Sequence, residues 1–134
     1  MSPAAQSPSD EDSFRFTDSR IGEAVRFMEA NLHRALPVAD IAAHVGLSRS
    51  HFTTLFRRAA GLRTAQILLR MRLERAADLL TGRRRLSLKE VAPRVGMDRP
   101  DVFARAFRDR YGMTPGEFRS VREASAGRRQ GFGS

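Results

Sequence analysis

The chain has 134 residues, 41% of them hydrophobic and 29% charged, the size of one domain or of two small halves with an ordinary core. It contains no cysteine, which excludes disulfides, thiolate metal sites, iron–sulfur clusters and a cysteine nucleophile. It carries 24 Lys and Arg against 15 Asp and Glu, a net charge of +9. No apolar run approaches the roughly 18 residues of a membrane span.

The charge is unevenly spread. Residues 1–18 hold Arg15 against Asp10, Glu11, Asp12 and Asp18, and every other basic residue lies beyond them. Lys89 is the single lysine among the 24 basic residues. A GC-rich genome would also favour Arg codons, but codon bias does not create net charge. A basic surface of this size predicts a polyanionic partner, nucleic acid first and an anionic membrane second. The polar N terminus has no signal-peptide core, and the expected location is the cytoplasm, with no membrane partner.

In chain order, residues 1–17 are rich in Ser, Pro and acids and predict a disordered acidic tail. A first helix is predicted over 18–32, with Asp18 as cap and Ile21, Ala24, Val25, Met28 and Leu32 on one side. Pro37 opens a short helix carrying Val38, Ile41, Ala42 and Val45, and Gly46 ends it. Ser48 caps the next, with Phe52, Leu55, Phe56 and Ala59 on one side and Gly61 as its stop. A longer linker helix follows over 64–80. Its apolar residues cover more than one stripe, as packing on two sides requires. Glu74 and Asp78 are expected to form surface pairs with Arg70, Arg72 and Arg75. Thr81, Gly82 and Arg83 to Arg85 make a break. Ser87 and Glu90 then form a capping box, Asp98 is expected to cap the following helix, and Thr114, Pro115 and Glu117 start a short last one. Residues 123–134 read as a flexible tail.

The segment Val38 to Gly46 repeats as Leu88 to Gly96 at an offset of 50, with every apolar position preserved. Past the glycines, Phe52, Phe56, Arg57 and Gly61 match Phe103, Phe107, Arg108 and Gly112 at 51, which implies a one-residue insertion in the second turn. Each copy is a short helix, a glycine turn and a second helix. The domains expected are thus 18–63 and 81–122, joined by the linker. If the paired phenylalanines anchor each second helix, its opposite side faces outward, where a helix-turn-helix meets the DNA major groove. At about 100° per residue that side holds Ser50, Thr54 and Arg57 flanked by Thr53 and Arg58, and in the second copy Asp101, Arg105 and Arg108. The candidate base readers are Ser50, Thr53, Thr54, Asp101 and Arg105, with Arg105 matched to guanine O6 and N7. Arg49, Arg57, Arg58, Arg99 and Arg108 are candidate phosphate contacts. For each, a solvated surface role is the plain alternative.

No enzyme is read from the chain. His33, His44 and His51 lack metal-ligand spacing, so no metal site is expected. Ser48 and His51 do not form a hydrolase pair, and the chain has no glycine-rich phosphate loop and no expected cofactor. The competing class is a basic helical module that grips a protein partner.

The two copies, with Arg72-Leu73, Ala76, Leu79-Leu80 between them and Gly112-Met113-Thr114-Pro115, Phe118-Arg119 after them, resemble the AraC/XylS family of transcription regulators over about residues 20–120. The resemblance implies an all-α fold of seven helices in two helix-turn-helix subdomains. It implies double-stranded DNA as partner, two recognition helices in successive major grooves, and transcription activation, less often repression, through contact with RNA polymerase. It places the protein on the bacterial nucleoid. Larger members add an effector-binding or dimerisation domain, for which this length leaves no room, so the chain is expected to be either a stand-alone small regulator or the DNA-binding piece of a longer protein, and no small-molecule effector is assigned. The chain departs from the pattern at Met97, where Phe is usual, at Pro93, expected to kink or shorten its helix, and at Pro100-Asp101. An acid at that helix tip accepts from cytosine N4 or restricts binding.

Overall fold

Local spacing and glycine stops predict a chain of short helices, and the computed structural model, which describes residues 19–84 and 86–133, shows seven helices and no strand among them. They are α1 (19–30), α2 (Val38–His44), α3 (Arg49–Ala60), α4 (Thr64–Thr81), α5 (Leu88–Arg94), α6 (Pro100–Tyr111) and α7 (Pro115–Gly133). The expected tail 1–17, the Asp18 cap and Arg85 of the basic break lie outside the described residues. The all-α expectation holds. The last helix is longer than the short one expected: past 122, Arg122-Glu123-Ala124-Ser125-Ala126 is made mostly of good helix formers, and α7 runs on to Gly133 where the sequence reads as a tail.

The chain forms two compact units. Among the described residues, one comprises 19–31 together with Leu36–Leu68, and the other Leu32–Ala35 together with those from Leu69 on. The division falls inside α4 rather than at its ends, and a four-residue piece after α1 belongs to the second unit.

In the first unit Ala24, Met28, Ile41, Ala42, Phe52 and Phe56 are buried. The Phe52 and Phe56 rings stack with centroids 5.3 Å apart. The small Ala42 sits where α2 must approach α3. Ser48 Oγ accepts from the His51 N–H at 3.1 Å, so it is the cap that the sequence requires. The Thr64 hydroxyl is buried without a hydrogen-bond partner, and the α4 start is closed instead by Gln66 Oε1, which accepts from the Arg63 N–H at 3.0 Å.

The second unit has a larger core, built by Leu73, Ala76, Ala77, Leu80, Leu86, Val91, Ala92, Val95, Phe103, Phe107 and Phe118. Phe107 meets Phe118 edge-on at 5.2 Å and Tyr111 at 4.6 Å. The Ser87–Glu90 box is complete, at 3.2 Å and 2.8 Å. The Thr114–Glu117 box is complete too, at 3.2 Å and 2.9 Å. In both boxes the bonds from the backbone and side chain of the capping residue hold the Glu carboxyl below the usual carboxylate range.

The two helix-turn-helix turns are built alike. After α2 the Leu47 N–H reaches the Ala42 carbonyl (2.9 Å) and the Gly46 N–H reaches Ala43 (3.0 Å). After α5 the Met97 N–H reaches Ala92 (2.9 Å) and the Gly96 N–H reaches Pro93 (3.0 Å). Each is a Schellman ending with glycine at φ 75°. Met97 packs against the core of the second unit. The inserted residue sits after it: residues 45–48 separate α2 from α3, and 95–99 separate α5 from α6.

Two expectations are corrected here. Asp98 is not the cap of α6. The insertion moves the cap position to Arg99, which makes no side-chain cap bond, and Pro100 with its fixed φ takes the first helical position. Pro93 does not shorten its helix, because α5 and α2 have 7 residues each and end in the same bonds. Pro93 is the penultimate residue of α5, and the carbonyl it leaves unpaired belongs to exposed Lys89, within reach of water. Pro93→Ala is accordingly expected to change stability by no more than about 1 kcal/mol, since the regained hydrogen bond and the freer unfolded chain are of similar size. Urea unfolding of the two proteins checks this.

Candidate nucleic-acid interface

Each interface begins with a buried phenylalanine pair. On α3, Phe52 and Phe56 are sealed in the core, so the opposite side of the helix is outward. Ser50, Thr53, Thr54, Arg57 and Arg58 are all exposed, as is Arg49 at the helix start. By helical spacing the first five share the outward side, whereas Arg49 falls nearer the edge of the buried one. On α6, Phe103 and Phe107 are buried, and Asp101, Arg105 and Arg108 are exposed on the other side. Arg99 is exposed just ahead of the helix. The structure therefore gathers Ser50, Thr53, Thr54, Arg57 and Arg58 on the outer side of α3 and Asp101, Arg105 and Arg108 on that of α6, and it leaves Arg49 at the edge of the first face and Arg99 ahead of the second.

Asp101 does not stand alone in this basic setting. Its Oδ2 lies 3.7 Å from Arg99 Nη2, with both side chains more than two-thirds exposed. Such a solvated pair contributes little to stability. It does offset the acid at the tip of α6, and it leaves the Arg99 guanidinium accessible. The end of α6 is held from the side by Arg110, which donates to Glu74 Oε2 at 3.0 Å. The same Glu74 oxygen is 3.6 Å from Arg70, as expected, but Arg110 is a partner that the local pattern did not indicate.

Arg72 corrects the surface-pair expectation outright. It is 8% exposed. Its Nη1 donates to the carbonyls of Gly96 (2.8 Å) and Val95 (3.2 Å), and its Nη2 donates to that of Arg34 (2.9 Å). Burial pushes its guanidinium down from the ordinary arginine value. One signal was present: Arg72, Ala76 and Leu80 lie four residues apart on one stripe of a helix that is apolar on more than one side. Arg119 is a second such anchor. Its Nε donates to the Leu80 carbonyl at 3.0 Å, and its Nη2 donates to the Leu86 carbonyl, fastening the break after α4.

Of the three histidines, His33 and His51 are exposed and His44 has ring and charge neighbours. His44 stacks on Phe27 with centroids 4.1 Å apart, and its Nε2 is 3.8 Å from Glu23. Among the described residues no three His, Cys, Asp or Glu side chains come together as a metal site.

A helix-turn-helix domain family matches residues 41–120. The transcriptional activator AarP of Providencia stuartii is 30% identical over 106 residues, which cover 78% of this chain and 77% of that protein. A regulator with an AraC-type DNA-binding domain from Chromobacterium violaceum superposes with a TM-score of 0.74 at 32% identity, covering 78% of this chain and 93% of that one. The chain belongs to the AraC-type helix-turn-helix family of DNA-binding transcription regulators. The DNA-binding domain of AdpA, solved in complex with a target DNA, has the same AraC-type fold, with a TM-score of 0.71, 30% identity, and coverage of 78% of this chain and 94% of that one. This AraC-type chain spans 37%, 39% and 33% of the length of three other curated relatives. Among its described residues no helix is long and apolar enough to cross a membrane.

Proposed function

We propose that the chain binds double-stranded DNA sequence-specifically, placing α3 and α6 in successive major grooves, and that it activates transcription through contact with RNA polymerase on the bacterial nucleoid. One observation carries this reading: the same Schellman-turned helix pair occurs twice, each time with a buried phenylalanine pair and an exposed polar side opposite it. Thr53, Thr54 and Ser50 supply short polar and methyl contacts to bases, and Arg105 supplies a two-pronged donor for guanine. Asp101 selects a cytosine amino group or discriminates against neighbouring sequences. Arg49, Arg57, Arg58, Arg99 and Arg108 bind phosphates and set register. The α6 start has no side-chain cap, so its first free N–H groups are donors suited to a phosphate as well. Activation rests on family membership and on AarP, a relative described as an activator.

Selection of bound duplexes from a random pool tests this directly. A defined two-part site is expected, with affinity falling as salt rises at a log–log slope of roughly −4 to −5 for five phosphate contacts. A steep salt slope with no base preference would reduce the chain to a nonspecific polyanion binder. Arg105→Ala is expected to lose about 1–3 kcal/mol of discrimination at one base pair while the rest of the site is retained. An unchanged base preference would show that Arg105 does not face the bases.

A further inference from the structure

The two turns share a hydrogen-bond pattern but not their surroundings. A Cβ added at Gly46 would meet nothing within 4 Å. A Cβ at Gly96 would overlap Arg72 Nη1 and the Leu32 carbonyl oxygen, and would lie 2.9 Å from Arg72 Cζ. The second turn is thus wedged between the backbone of residues 32–35 and a guanidinium from α4, whereas the first is open at the same point. The wedge is polar by design of its geometry. Arg72 reaches the Val95 and Gly96 carbonyls, just past the C-terminal end of α5, with one nitrogen, and the Arg34 carbonyl with the other. All three acceptors are neutral, so the buried cation is satisfied by backbone alone.

Its placement has a directional consequence. Residues 95–99 are all that separate α5 from α6. Two of the carbonyls gripped belong to this connection, so the guanidinium constrains where α6 sets out. The exposed side of α6 carries Asp101, Arg105 and Arg108. A lysine cannot substitute, because a single ammonium lacks the planar fork that serves two chain segments at once.

We propose that Arg72 is a positioning residue for DNA readout by the second helix-turn-helix: buried away from DNA, it sets the direction of α6 by gripping the Val95 and Gly96 carbonyls against residues 32–35. This rests on the DNA-reading function proposed above. It adds that specificity in the part of the site read by α6 depends on a side chain that touches no nucleotide, and that the part read by α3 does not depend on it.

The test uses the full chain carrying Arg72→Met, which keeps the apolar stem and removes the donors, and Arg72→Lys, which keeps the charge. Arg72→Gln, with a smaller donor group, serves if the methionine variant does not fold. Amide exchange in the free protein is read at Gly96 and Met97, with Phe107 as a core reference. Exchange at the turn is expected to speed up about tenfold or more relative to the reference, the scale of losing charge-assisted bonds. Duplex selection is then expected to show preference relaxed about tenfold in the part of the site read by α6, with the α3 part unchanged. Lysine is expected to restore neither reading. Turn exchange that stays slow overturns the proposal. So does faster exchange with an intact base preference, or a loss of preference spread evenly over both parts, since each reduces Arg72 to a general stabiliser. A wild-type chain with no base preference at all is a separate result, and it overturns the DNA-reading function together with this dependence on it.

Discussion

Gly96→Ala is expected to cost the second unit about 4 kcal/mol or more, while the matching Gly46→Ala costs about 1–2 kcal/mol. Both glycines have φ 75°, so both variants pay the left-handed backbone cost of an L-residue. At Gly46 nothing else opposes the added methyl, because the space around it is open. At Gly96 the methyl meets the Leu32 carbonyl oxygen, which is backbone, and the Arg72 guanidinium. Moving the guanidinium breaks bonds to Val95, Gly96 and Arg34, and leaves a cation and its acceptors partly buried and unpaired. The two glycines are thus equivalent in the repeat and unequal in the molecule. Denaturant unfolding separates them, with Tyr111, the single tyrosine, as a fluorescence reporter within the second unit. Equal losses for the two variants would mean that the wedge is not formed in solution.

The second large effect is expected from Phe107→Ala, about 3–5 kcal/mol. Phe107 is fully buried. It lies at the centre of an aromatic group, with Phe103 at 5.9 Å, Tyr111 at 4.6 Å and Phe118 at 5.2 Å. Truncation removes ring–ring contacts in three directions. It leaves a cavity in a core to which α4, α5, α6 and α7 all contribute, with the Thr114–Glu117 box and the Arg119 bonds holding the α7 side in place, so it closes poorly. Binding should suffer with stability, since the same ring keeps Arg105 on the outer side of α6. A variant with an unchanged unfolding midpoint would show that this core is not packed as described.

Much of the architecture was legible from the chain because it is encoded within a few residues. Ser48, the Ser87–Glu90 box and the Thr114–Glu117 box each close a helix start over three positions. Gly46 and Gly96 turn the chain where the repeat places them, and each phenylalanine pair sits four residues apart on one helix face. The outward faces of α3 and α6 follow from those pairs by helical periodicity alone. Asp98 marks the edge of this local logic. A single inserted residue and the proline after it moved the cap by one position, and spacing by itself did not say which residue would yield.

The amino-acid pattern by itself determined the all-α class, the tandem motif, the helix ends and the polar faces, because each depends on backbone preferences and on side-chain periodicity over one or two turns. Only the tertiary structure decided that Arg72 is buried rather than paired on the surface, that Arg119 fastens the break after α4, that Arg110 joins Glu74, and that one turn glycine is crowded and its twin is free. In the arginine cases the bonds join residues 23 to 39 positions apart. A carbonyl acceptor is present at every residue, so the sequence holds no mark of which one a guanidinium will reach. That choice is made when the helices pack and bring particular helix ends and turns within reach of the arginine side chains.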